Sequence, residues 1–143
     1  MKKRFRFLEH TADAYVEAYG ASLEESFENS AAAMTDVMTE LEKVEAKNEE
    51  TFMVEAQDLP ALLYSWLEEL LLEFELKGKL YSRFKVSGIE ETSEGFRLHA
   101  RAWGESYVSE KHPSKVGIKA ATYHQMEIIK EPNSVTVRFI LDI

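Results

Sequence analysis

At 143 residues, with 45% apolar and 11% aromatic content, the chain has the apolar mass for one buried core and is expected to form a single domain over 1–143. Acidic residues outnumber basic ones 26 to 17, a formal charge of −9 that speaks against direct nucleic-acid binding and suits a cation or a basic protein partner. The absence of cysteine excludes disulfides, thiolate metal sites and cysteine nucleophiles, and without an apolar leader or a membrane-length apolar run the protein is expected to be cytoplasmic and free of membranes.

Residues 4–8 and 14–19 alternate polar and apolar side chains and are predicted as strands, joined through the polar corner His10-Thr11-Ala12-Asp13. Ser22 and Glu25 form a capping-box pattern that opens a helix, whose apolar face is Leu23, Phe27, Met34, Val37 and Met38 and which ends near 39–41. Residues 42–50 are charged and aperiodic, a solvated connection into a short strand at 51–56. Asp58 as N-cap and Pro60 in the first turn start a second helix carrying Leu59, Leu62, Leu63, Trp66, Leu67, Leu70, Leu71 and Phe74 at helical spacing. Lys77-Gly78-Lys79 closes it. Residues 80–89 and 96–105 are predicted as a hairpin, with Arg97, His99, Arg101 and Trp103 on one face and Leu98, Ala100 and Ala102 on the other. A basic loop around Lys111, His112 and Lys115 follows, then one continuous strand over 119–129, a turn at Pro132-Asn133-Ser134 and a last strand over 135–143. Two helices against a mostly antiparallel sheet make the expected class α+β.

The chemistry-bearing signals are few. No HExxH, P-loop, GxSxG or GxGxxG pattern occurs, so nucleotide hydrolysis and acyl transfer have no support, and no catalytic residue is assigned. The polar corner reads either as an ordinary turn or as half of a site. The last strand ends with Asp142 beside the α-carboxylate of Ile143. If that end lies beside Asp13, the oxygen anions converge in the way a hard divalent cation prefers; the alternative is a plain surface terminus. Lys111, His112 and Lys119 are candidates for gripping phosphate or a partner's carboxylates, against the alternative of a solvated basic loop.

Several blocks run in one order along the chain: Phe7-Leu8-Glu9-His10-Thr11-Ala12-Asp13, Leu62 to Leu71, Ala102-Trp103-Gly104-Glu105, Lys111-His112-Pro113, Val116 to His124 and Leu141-Asp142-Ile143. In these the sequence resembles the archease family over essentially its whole length. The resemblance implies an α+β archease fold with an inserted SHS2-like module. It implies a non-catalytic activator of the GTP-dependent RtcB-type RNA ligase of tRNA splicing, promoting ligase guanylylation and multiple turnover. A divalent cation, Ca²⁺ foremost with Mg²⁺ or Mn²⁺ as alternatives, would be held by Asp13, Asp142 and Ile143, with His10 among the groups facing the partner. The family's alternative role is that of a chaperone-like specificity modulator of tRNA-modifying enzymes such as a tRNA methyltransferase. One departure is that Ser106-Tyr107-Val108-Ser109 lacks the aspartate usual after the Trp-Gly-Glu block.

Overall fold

A computed structural model describes residues 3–8 and 13–143. The elements run β1 (Phe5–Leu8), β2 (Ala14–Gly20), α1 (Leu23–Met38), a short 3₁₀ turn (Leu41–Lys43), β3 (Asn48–Ala56), α2 (Leu59–Lys77), β4 (Lys79–Thr92), β5 (Gly95–Ser106), β6 (Ala120–Ala121), β7 (Glu127–Glu131) and β8 (Ser134–Asp142). The α+β class expected from the alternating patterns is therefore found, as two antiparallel sheets instead of one.

The first sheet is built on β8, which pairs with β2 along one side and with β7 and then β6 along the other; β1 extends it beyond β2. The second, β3-β5-β4, comes from the middle of the chain, so its strands are inserted between β2 and β8 of the first. Helix α1 packs on β2 and on β4 and so spans both sheets, and its polar groups are spent on that job. Thr35 donates its hydroxyl to the Tyr81 carbonyl at 2.8 Å, and Glu28 accepts the Val86 N–H at 2.8 Å. Asn29 is buried between the Tyr19 carbonyl and the Arg4 guanidinium. Glu28 and Asn29, which the apolar periodicity sets outside the core face, thus become joints because a second sheet arrives there.

The capping box is present in a shifted form: Ser22 accepts the Glu25 N–H at 3.1 Å, and the Glu25 carboxylate accepts from Ala21 at 2.6 Å. Helix α2 follows its caps, with Asp58 accepting the Ala61 N–H and Gly78 closing the helix in the left-handed region at φ 67°. Trp66 is fully buried and donates its indole N–H to the Phe27 carbonyl at 3.1 Å, tying the two helices together.

One predicted element is corrected. Residues 119–129 are not a continuous strand: β6 spans only Ala120–Ala121, a turn follows in which Gln125 takes φ 54°, and β7 begins at Glu127. The physical reason is that both segments pair with the same strand. Ala120 lies opposite Asp142 and Glu127 opposite Arg138, and the turn takes up the chain between them.

Candidate functional site

The antiparallel register of β2 on β8 matches Ala14 with Leu141. Asp13 directly precedes Ala14 and Asp142 directly follows Leu141, so the two residues flank the last pair at one end of the sheet. Asp142, out of step with the buried Val137, Phe139 and Leu141, belongs to the outer face of β8. Asp13, Asp142 and Ile143 are all partly exposed. The third strand closes on the same point: the Lys119 N–H donates to the Asp142 carbonyl at 2.7 Å, while the Lys119 side chain is exposed. Lys119 and Asp142 therefore meet at the end of the sheet where β2 begins just after Asp13 and β8 finishes just before Ile143. His10 lies outside the described residues. Among the described residues no three Asp, Glu or His side chains are grouped as a metal would require, so a cation here would draw on two carboxylates, main-chain oxygen and water. That set is open and composed of oxygen, which fits a hard divalent ion that keeps part of its hydration.

Lys111 and His112 sit elsewhere and are engaged internally. His112 has no exposed surface. Its Nδ1 accepts the Val108 N–H at 2.9 Å, which assigns the ring proton to Nε2, and Nε2 donates to Glu105 at 2.9 Å. The Glu105 carboxylate also accepts from Lys111 Nζ at 2.8 Å and from the Glu45 N–H at 2.9 Å. Burial alone would raise this carboxyl, but Lys111, the Glu45 amide and His112 together hold it down at about 2. The basic loop is thus a clamp that fixes 105–112 against 45. A sequence pattern shows its charges but not the buried glutamate that consumes them.

A second buried carboxylate was not singled out by sequence. Register places Arg6, Glu17, Arg138 and Glu127 in one row across β1, β2, β8 and β7. Glu17 is only 3% exposed although it is on the outer face, because Arg6 and Arg138 cover it, each at 2.6 Å, and Tyr19 donates its hydroxyl. Burial raises this carboxyl, and the bonds from Tyr19, Arg6 and Arg138 outweigh that and hold it at about 2. Glu17→Gln is expected to cost about 1–2 kcal/mol in urea unfolding at pH 7, discounted for the exposure of both arginines. Because the carboxyl is depressed in the folded chain, its stabilisation is full above its ordinary value of 4.5 and is lost as pH falls toward 2. The variant's deficit should shrink over that interval.

A cavity of about 200 Å³ lies between the end of α1, α2 and residues 114–118, walled by Met38, Leu71, Phe74, Leu80, Tyr107 and Ile118. Elsewhere on α2, Leu72 and Leu76 are exposed, the latter by 72%. No periodicity announces this feature, since its walls come from segments far apart in the chain. No helix among the described residues is long and apolar enough to cross a membrane.

Comparison with known proteins bears on the whole chain. Residues 5–143 match the model of the Archease protein family (MTH1598/TM1083). The chain is 46% identical over 131 residues to the protein archease of Pyrococcus abyssi, covering 92% of each. It is 40% identical over 141 residues to that of Sulfurisphaera tokodaii, covering 99% of each. The solution structure of Methanobacterium thermoautotrophicum protein 1598 superposes with a TM-score of 0.80 at 40% identity, covering 97% of this chain and 98% of that one. A Thermotoga maritima archease, described as a possible chaperone, shares the fold with a TM-score of 0.59 at 20% identity, covering 100% and 98%. By family model, identity and fold alike, the chain belongs to the archease family.

Proposed function

We propose that this protein is a non-catalytic activator of an RtcB-type, GTP-dependent RNA ligase in tRNA splicing, acting through a divalent cation at the Asp13–Asp142 edge. The observation that supports the reading is the β2–β8 register: its last pair, Ala14 with Leu141, brings the chain at Asp13 and at Asp142 to one end of the sheet, where both are partly exposed. A rigid base matters, because an activator that must position a metal or a phosphate in another protein's cleft gains from pre-set geometry. Asp13, Asp142 and main-chain oxygen of Ile143 would hold Ca²⁺, with Mg²⁺ or Mn²⁺ as alternatives, and the ion would neutralise phosphate charge near the ligase's nucleophile. This chain's residues supply the anchor and, through exposed Lys119, one cation that can meet the partner's carboxylates or the nucleotide. The remaining surface, strongly acidic overall, suits a basic cleft.

The reading is tested by titrating Ca²⁺ and Mn²⁺ calorimetrically into the chain and its Asp13→Asn and Asp142→Asn variants, alongside ligase guanylylation. Each variant is expected to bind the ion at least tenfold more weakly and to lose most of the stimulation. Full stimulation by both variants would sink the proposal.

A second reading, a chaperone-like modulator of a tRNA-modifying enzyme such as a tRNA methyltransferase, is favoured by one feature: Leu72 and Leu76, large apolar side chains exposed on α2. Under it, stimulation of the client survives chelation and Asp13→Ala but falls with Leu76→Glu. The activator reading requires the opposite pattern.

A further inference from the structure

The net charge of the chain does not describe the outer face of β3-β5-β4. Inward from these strands point Phe52, Val54, Phe84, Val86, Leu98, Ala100 and Ala102, all buried. Outward, the register lays out rows across the three strands. One row is Glu49, Trp103 and Arg83; the next is Thr51, Arg101 and Lys85. Met53 and His99 follow, and then Glu55, Arg97 and Glu90. The last row neutralises itself, with Arg97 paired to Glu55 at 3.0 Å and to Glu90 at 3.6 Å. The first two do not: three cations face one carboxylate, Glu49, which reaches Arg101 only at 3.8 Å.

Two of the cations lie against the Trp103 ring. The Arg83 guanidinium carbon lies 4.6 Å from the centre of the Trp103 ring and that of Arg101 lies 5.2 Å from it. A guanidinium stacked on an indole is held flat while its N–H groups stay free for bidentate bonds to an oxyanion. A break in register between Tyr81 and Arg83 produces the alignment: one extra residue in β4 brings Arg83, and not Ser82, level with Trp103. Arg83, Lys85 and Arg101 are exposed, as are Thr51, Met53 and His99 further along the face.

We propose that this end of the sheet face, Trp103 with Arg83, Lys85 and Arg101, binds single-stranded nucleic acid, the cations taking its phosphates and the guanidinium planes and Met53 taking its bases. Charge complementarity selects a polyanion, and the flat, strand-built surface suits a single strand laid across it, whereas a duplex presents its bases only inside grooves. An acidic protein segment is the weaker fit. It would need apolar side chains to bury against, and Met53 is the only exposed large apolar residue on this face. The surface stands apart from the Asp13–Asp142 edge and does not depend on the activator reading.

The test is fluorescence anisotropy of a labelled 20-nucleotide oligouridylate titrated with the full chain at 50 mM and 200 mM salt. Binding of roughly 10–100 μM at the lower salt is expected, with a log–log salt slope of about −2 for three phosphate contacts on a single strand. Substituting Arg83→Gln, Lys85→Gln and Arg101→Gln together should weaken it at least tenfold. Removing three cations elsewhere, by Lys3→Gln, Lys43→Gln and Lys130→Gln, should change it less than twofold. The proposal is overturned if the two triple variants bind alike, if the parent does not bind at 50 mM salt, or if an oligoglutamate of equal charge displaces the RNA as well as unlabelled oligouridylate does. Ligase guanylylation, which consumes no RNA, should be stimulated normally by the Arg83/Lys85/Arg101 variant. The outcome here is therefore separable from that of the metal-edge experiment.

Discussion

Gly104→Ala is expected to be the most damaging small substitution in the chain, costing more than about 3 kcal/mol and lowering the thermal midpoint by roughly 10 °C. A β-carbon at this position would stand 1.8 Å from the Leu80 carbonyl oxygen and 2.7 Å from Tyr81 Cα. Both obstacles are backbone, so no side chain can swing aside; β4 itself would have to move. It cannot move cheaply, because the same stretch carries the register break that follows Tyr81, and the Tyr81 carbonyl is the anchor for Thr35 of α1. On the other side Gly104 lies level with Asn48 of β3, and its carbonyl accepts the Lys47 N–H at 3.2 Å. The residue is therefore fixed from both neighbours. Gly117→Ala is the matched control: nothing lies within 4 Å of its would-be β-carbon, so its effect should stay within about 0.5 kcal/mol. Equal midpoints for the two variants, by differential scanning calorimetry, would show that the close approach at Gly104 relaxes without cost.

The close approach of Gly104 to β4 has no signature in the local sequence. The elements whose signals are local came out as expected: the caps at Ser22, Asp58 and Gly78, the leucine-rich stripe of α2, and the alternation that puts Leu98, Ala100 and Ala102 inward. So did the α+β class. What local periodicity does not hold is which strands share a neighbour. Residues 119–129 alternate well enough to be one strand, yet β8 accepts them as two short pieces with a turn between. Asn29 and Glu28 carry no mark that a second sheet will need their polar atoms.

The same limit governs the candidate site. Asp13 and Asp142 can be suspected as partners from sequence, and the β2–β8 register brings the chain at both to one end of the sheet, but nothing in either segment encodes that register except the buried set Val16, Ala18, Val137 and Phe139. The Lys111–His112 pair shows in the sequence as local positive charge and as part of a family block, neither of which names its partners. Its meaning depends on Glu105 and on the Glu45 amide, a partner 60 residues away along the chain from Glu105. Likewise, whole-chain charge obscured the cationic end of the second sheet, because acidic side chains are concentrated on other surfaces and at the far row of that same face. Net charge is a sum, and a binding surface is a position.

Glu105→Ala should produce the largest loss among the polar substitutions, about 3 kcal/mol at pH 7 and near 10 °C in midpoint, for reasons that can be separated by pH. The truncation leaves the His112 Nε2–H and the Glu45 N–H without their acceptor, and His112 has no route to water. It also releases Lys111, but that ammonium keeps Glu45 at 2.6 Å and is partly exposed, so its share is small. The loss is therefore mostly that of the buried His112 donor left unpaired, since Glu45 is exposed and its N–H can turn to water. Glu105→Gln, which retains a carbonyl oxygen able to accept one of these bonds, should recover about half of it. In the parent chain the carboxyl titrates at about 2 when folded against an ordinary 4.5. A depressed carboxyl adds stability above its unfolded value and surrenders it as pH falls through the folded one. The gap between parent and Glu105→Ala in urea midpoint should thus be constant from neutral pH down to about 4.5 and narrow from there toward 2. A gap that stays constant through this window would mean that Glu105 acts by shape alone, and that the clamp around His112 does not depend on its charge.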